Sequence, residues 1–221
     1  ALLRYAFQWS LHANTPLVLL HQTSVIIPGL AHTEYKQSLI NKGNEDALQL
    51  LKELVEQTLP TGTEVQYQVS GKHLLEQLEL LQSEPFEHVI FAGAKSNGLI
   101  KRLFLGTKTI EIIEHLNTTL VVMPANFTAF THRHLWVAVA EKHPINIENL
   151  SKLLSLFPEK EIKITFFSIV QKKEHLLPIQ QTLQSLANLF TARYITSIAV
   201  YEGTQYASDL QLIIQQPSHD I

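Results

Sequence analysis

Along the first 124 positions the spacing of apolar residues switches repeatedly between helical and extended periods. Leu2, Leu3, Ala6, Phe7 and Leu11 recur at helical intervals and predict a helix over 1–13, which Asn14, Thr15 and Pro16 end. Leu17-Val18-Leu19-Leu20 is apolar on both faces, as a buried parallel strand requires. A loop with Pro28 and Gly29 leads to a long helix over 34–58, carrying Leu48, Leu51, Leu54 and Val55 and stopped by Pro60 and Gly62. Val65, Tyr67 and Val69 alternate with Gln66 and Gln68, which predicts a strand over 64–69. Gly71 opens a helix with Leu74, Leu75, Leu78 and Leu81 on one stripe, and Pro85 closes it. Val89 to Ala92 reads as another buried strand, 93–106 as a loop, 107–115 as a helix, and Leu120 to Met123 as a strand ended by Pro124.

After a polar stretch over 125–133 the alternation restarts. Strands are expected over 135–140, 162–170, 194–201 and 212–214, with helices over 147–157 and 176–190 and a short one from Gly203 to Leu210. Strands alternating with helices specify an α/β chain of parallel sheets with helices on both faces, and right-handed crossovers restrict it to doubly wound layouts. The two halves read as a tandem repeat. Leu17–Leu20 corresponds to Ile164–Phe167, Val69-Ser70-Gly71 to Tyr201-Glu202-Gly203, and Val89–Phe91 to Leu212–Ile214. The expected domains are 1–127 and 132–221. The second half opens on a strand, 135–140, that has no counterpart before the first helix. The first half closes on a glycine loop, helix and strand that the second lacks. Both copies are therefore expected to be cut at an end.

Composition narrows the class. The 221 residues suit two domains of ordinary size, and a charged share of 17% lies below the usual quarter, against disorder. A net charge of −3 argues against a general nucleic-acid binder. The absence of cysteine excludes disulfides, thiolate metal sites and a cysteine nucleophile. No apolar run approaches the ~20 residues that span a bilayer, and the first residues do not form a signal-peptide core, so a cytoplasmic protein is expected.

Three of the chain's 8 glycines fall between Gly93 and Gly106, after a buried strand and before a helix. Ligands of open α/β sheets sit at the carboxyl ends of strands. The unpaired N–H groups of a helix start suit phosphate, and glycine lets the backbone approach it. Thr107 is placed to cap the helix or to donate its hydroxyl to phosphate, and Lys95 and Lys101 add positive charge. The same residues also suit a structural loop, with Gly93 and Gly106 in tight turns and Thr107 as an ordinary cap. Neither the Walker spacing nor Gly-x-Gly-x-x-Gly is present.

The stretch from Val89 to Pro124 resembles the signature end of a universal stress protein domain: a strand, Gly-x-x-Gly-x9-Gly-(Ser/Thr), a helix, and a strand ending Val-Val-x-Pro. Gly93, Gly106 and Thr107 match with the spacing kept, and Ser96 stands where the second glycine belongs. Ala1–Ala6 and Leu19-Leu20-His21 are similar to that family's first helix and second strand. The resemblance covers 1–124, and 134–221 only as a degenerate second copy. It implies an adenine-nucleotide alpha-hydrolase-like sheet of order 3-2-1-4-5 whose central first strand would precede Ala1. It implies paired domains, or a homodimer, joined through their last strands. It also implies an ATP site, with magnesium, at Gly93, Ser96, Asn97, Gly106 and Thr107, in a stress-responsive regulatory or protective module. The alternative is a protein-interaction module of the same fold that has lost the nucleotide. After Val139-Ala140 the second half has Glu141-Lys142-His143-Pro144, which departs from the aspartate of the ATP-binding members.

Catalytic and metal roles are not expected. His132, His134 and His143 are the best histidine cluster but lack helical ligand spacing, and no serine sits in a nucleophile elbow. Glu45/Asp46 and Glu111/Glu114 are expected to face solvent, and Trp9 and Trp136 to pack at domain surfaces.

Overall fold

A computed structural model describes residues 1–30, 32–94, 107–116, 118–124, 132–140, 144–157 and 162–203. The chain divides into two compact units, Ala1–Phe130 and Thr131–Ile221. It is a mixed α/β protein in which every described strand pairing is parallel.

The first unit runs α1 (Leu2–Ala13), β1 (Leu17–Gln22), α2 (Thr33–Thr58), β2 (Val65–Ser70), α3 (Leu74–Gln82), β3 (Val89–Ala94), α4 (Thr107–His115) and β4 (Thr119–Pro124). β1 pairs β2 from Leu17 opposite Val65 to Gln22 opposite Ser70. β3 pairs β4 from Val89 opposite Thr119 to Ala94 opposite Pro124. Among the described residues these are two separate two-stranded sheets, and no ladder joins β1 to β3.

Side chains bridge the two pairs on both faces. Because successive strand residues point to opposite faces, Leu17 and Leu19 share one face of β1 and Leu20 the other. On the first face Ala6 of α1, Val55 of α2 and Leu59 enclose Leu17, with Leu19, Val65, Tyr67 and Phe91 packed around them. On the second, Leu78 of α3, Ile112 of α4 and Leu116 gather Leu20, Ile90 and Leu120.

The buried line of α1 differs from the sequence reading. Tyr5, Ala6 and Trp9 are buried while Leu11 is 64% exposed. Trp9, expected at a surface, is 3% exposed and packs at a tilt against Tyr5 and Phe91, with ring centroids 6.5 and 5.9 Å away. The reason is that α1 packs against both strand pairs at once, so its contact face is broader than one leucine stripe. Asn14 ends the helix in the left-handed conformation, at φ 50°, a role asparagine fills more cheaply than most residues. The helix expected from Gly71 begins at Leu74 instead.

β1 and β3 were expected as buried strands, yet apart from Leu17 their described residues are half-buried or exposed. Among the described residues each has one laddered neighbour, so the packing on its second edge comes from side chains and not from another strand.

The second unit runs β5 (His134–Ala138), α5 (Ile147–Ser155), β6 (Lys163–Val170), a single 3₁₀ turn (Lys173–His175), α6 (Leu176–Phe190) and β7 (Ile195–Glu202). Its sheet has the order β5-β6-β7. With a neighbour on each side, β6 is the driest strand described, and Ile164 and Phe166 are 0% exposed. Leu154 of α5 and Ile179, Leu183, Ala187 and Phe190 of α6 pack on that face. Asn146 caps α5 by accepting a 3.0 Å hydrogen bond from the Asn149 N–H. The helix and strand expected over 203–214 lie outside the described residues.

Candidate functional site

The site expected from the sequence lies at the carboxyl ends of β3 and β4. Gly93 is exposed at the end of β3, opposite Met123 of β4, which is 3% exposed. A Cβ built on Gly93 would meet Leu2 Cδ2 at 3.8 Å, an ordinary van der Waals distance. Among the described residues only Asn14 and Gly62 have positive φ. Gly93 is therefore not required by backbone conformation or by crowding, which removes the tight-turn explanation for this position. What glycine leaves there is an open approach to the main chain.

The Leu2 contact also places the start of α1 beside the end of β3. The first turns of α1, α4 and α6 contain no acidic residue, whereas α2, α3 and α5 carry Glu34, Glu76 and Glu148 there. An acid in the first turn neutralises the partial positive charge of a helix start. The two helices flanking this end of β3 and β4 in sequence or space thus keep theirs. Thr107 begins α4, and two residues on Thr109 is buried at 5% exposure. His73, the residue before α3, reaches Glu111 of α4 at 3.9 Å. Ser96, Asn97 and Gly106, together with Lys95 and Lys101, lie outside the described residues.

The second unit holds a polar row that sequence reasoning missed. Thr165 Oγ1 of β6 lies 2.8 Å from His134 Nε2 of β5 and 2.7 Å from Ser197 Oγ of β7. Thr165 is 4% exposed, so this line of polar atoms crosses the sheet largely out of water. The parallel register aligns it, with Thr165 opposite Ser197 and beside Trp136. Its only trace in the sequence is the pair of hydroxyl residues in each of two largely apolar strands, Thr165 and Ser168 in β6 and Thr196 and Ser197 in β7. Beyond it, burial pushes the Tyr201 phenol above the ordinary tyrosine range. Trp136, 37% exposed, packs its ring on His134 and Phe167.

Among the described residues no three histidine, aspartate or glutamate side chains converge as a metal site would need, and no helix is long and apolar enough to cross a membrane. His143 lies outside the described residues. Among the described residues, open grooves include one of about 560 Å³ between Ile147 and α6 and one of about 400 Å³ between β2 and α3. Neither is lined by Gly93.

Fold and site together define an α/β protein with parallel strands, crossover helices and an open glycine at a strand's carboxyl end. No protein-family model, curated protein or solved structure matches the chain.

Proposed function

We propose that the chain is a tandem, doubly wound protein of universal stress type, with strand order 3-2-1-4-5, acting as an ATP-responsive regulatory or protective module rather than an enzyme. The observation that carries this reading is Gly93: an exposed glycine at the carboxyl end of β3 whose backbone neither needs glycine nor is crowded by neighbours. The absence of acids in the first turns of α1 and α4 supports an anionic ligand. In this reading Gly93, Ser96, Asn97, Gly106 and Thr107 surround the phosphates, and magnesium accompanies them. Isothermal titration with Mg-ATP tests it. A saturable heat supports the reading, and no heat at millimolar nucleotide rejects it.

A second reading, a protein-interaction module of the same fold without nucleotide, is favoured by Ser96, where the motif has glycine. Ser96→Gly separates the two. Tighter ATP binding in the variant places the defect at that residue, and silence in both forms favours the interaction module.

A further inference from the structure

Among the described helices α6 alone carries no charged residue. Ile179, Leu183, Ala187 and Phe190 turn one side of it into the core of the second unit. On the other side Leu177 and Leu189 are 66% and 59% exposed, and Leu189 lines the groove of about 560 Å³ with Ile147 of α5. The hydroxyls there are already bonded within the helix. Thr182 Oγ1 donates to the Pro178 carbonyl at 3.0 Å, and Ser185 Oγ to the Gln181 carbonyl at 2.9 Å. Gln184 Nε2 likewise donates to Asn188 Oδ1 at 2.9 Å. Taking this face out of water therefore strands no charge, leaves those donors satisfied and buries apolar area. Exposed apolar anchors in a charge-depleted surround are the composition of an interface core.

We infer that the outer face of α6 docks on the same face of a second copy of this chain, the two helices antiparallel about a twofold axis. The order of residues along the groove supports this occupant. Pro178, Thr182, Ser185 and Leu189 follow at helical spacing on one stripe, apolar at both ends and small in the middle. The stripe reads alike in both directions about the midpoint between Leu183 and Gln184, as a self-complementary interface requires. Pro178 of one copy then meets Leu189 of the other, and Thr182 meets Ser185, where small side chains let the helix axes approach. The charges that bracket α6 share the symmetry. Glu174 precedes the helix and Arg193 follows it at equal distances in sequence from that midpoint. An antiparallel pair brings each carboxylate toward the guanidinium of the other copy, whereas a parallel pair would oppose like charges. Glu174 is exposed, with Lys172 at 3.6 Å and His175 at 3.3 Å, and Arg193 lies over the Tyr194 ring. The inference does not rest on the nucleotide reading, and it seats the pair on a helix face rather than on last strands.

Sedimentation velocity on the unaltered chain tests it, with a reversible equilibrium between monomer and dimer expected at micromolar concentration. Ser185→Glu sets two carboxylates near the axis and should weaken the dimer at least tenfold, with the circular dichroism of the folded chain unchanged. If that variant does not fold, a charge swap decides. Glu174→Arg alone should weaken association several-fold, and adding Arg193→Glu should restore it. Within one chain the ~22 Å length of α6 separates these two residues, so restoration reports pairing between copies. A swap that fails to restore association overturns the antiparallel arrangement. A chain that stays monomeric throughout overturns the inference and leaves the groove to a different partner. So does a dimer that neither Ser185→Glu nor Glu174→Arg weakens, which would seat the second copy on another surface.

Discussion

Thr165 and Ser197 face each other across β6 and β7 with their hydroxyl oxygens 2.7 Å apart, and on β6 Thr165 sits between the fully buried Ile164 and Phe166. Thr165 also lies within hydrogen-bond distance of His134, so one buried hydroxyl serves two neighbouring strands. Thr165→Val keeps the branched shape but removes that oxygen. It should cost about 1–3 kcal/mol, the range for leaving buried polar partners unmatched. Urea unfolding would measure it. Adding Ser197→Ala should cost less than the sum of the single changes, because residues in one network do not add. Additive losses would show that the row is incidental.

A closer approach occurs in the first unit. A Cβ on Gly43 of α2 would lie 2.7 Å from Val25 Cγ2, which forces one of them to move. The loop bearing Val25 is tied to the same helix, where Thr23 donates a hydrogen bond to Asn44. Alanine in a helix interior is favoured over glycine by about 1 kcal/mol. Gly43→Ala alone should therefore gain little or lose stability, as displacing Val25 offsets the helical gain. In a Val25→Ala background the same change should stabilise by about 0.5–1 kcal/mol. Equal effects in both backgrounds, by thermal or urea unfolding, would reject the contact.

The element pattern was legible because proline, glycine and asparagine punctuate almost every boundary. Helix 107–115 and helix 176–190 appear at their expected limits. What failed was side-chain placement that depends on more than one partner. Trp9 looked amphipathic and peripheral, but α1 packs between two strand pairs and buries it. The half-exposed state of β1 was hidden for the converse reason: an apolar strand sequence records which faces are covered and not whether a lateral neighbour exists. The Thr165–Ser197 row needs the register of three strands, which no local spacing reveals. Of the candidate site, the position of Gly93 at a strand's end was legible. Its freedom from backbone strain was not, because φ is not written in the residue type.

Tyr201 gives a pH dependence. Burial holds its phenol above the ordinary tyrosine range, and its ring packs edge-on against Phe167 with centroids 6.4 Å apart. Above about pH 10 the unfolded chain ionises this phenol first and so binds fewer protons than the native state. The stability it contributes is therefore complete below that pH and is lost as pH rises through the raised folded value. Tyr201→Phe should show a shallower alkaline decline than the parent in urea midpoints taken from neutral pH to about pH 11. Parallel declines would place this phenol in water.

Gly93→Ala separates a ligand's need for glycine from the fold's. The added methyl meets Leu2 only at 3.8 Å, and Gly93 does not occupy the left-handed region, so the fold should accept alanine with a stability change within about 0.5 kcal/mol. A phosphate held against this backbone would lose its close approach, and the proposed ATP affinity should fall at least tenfold, worth about 1.4 kcal/mol. Unfolding and titration on the same variant read the two effects independently. Unchanged stability with lost binding assigns Gly93 to the ligand. A large loss of stability would return the glycine to a structural role, and unchanged binding would remove Gly93 from the nucleotide site.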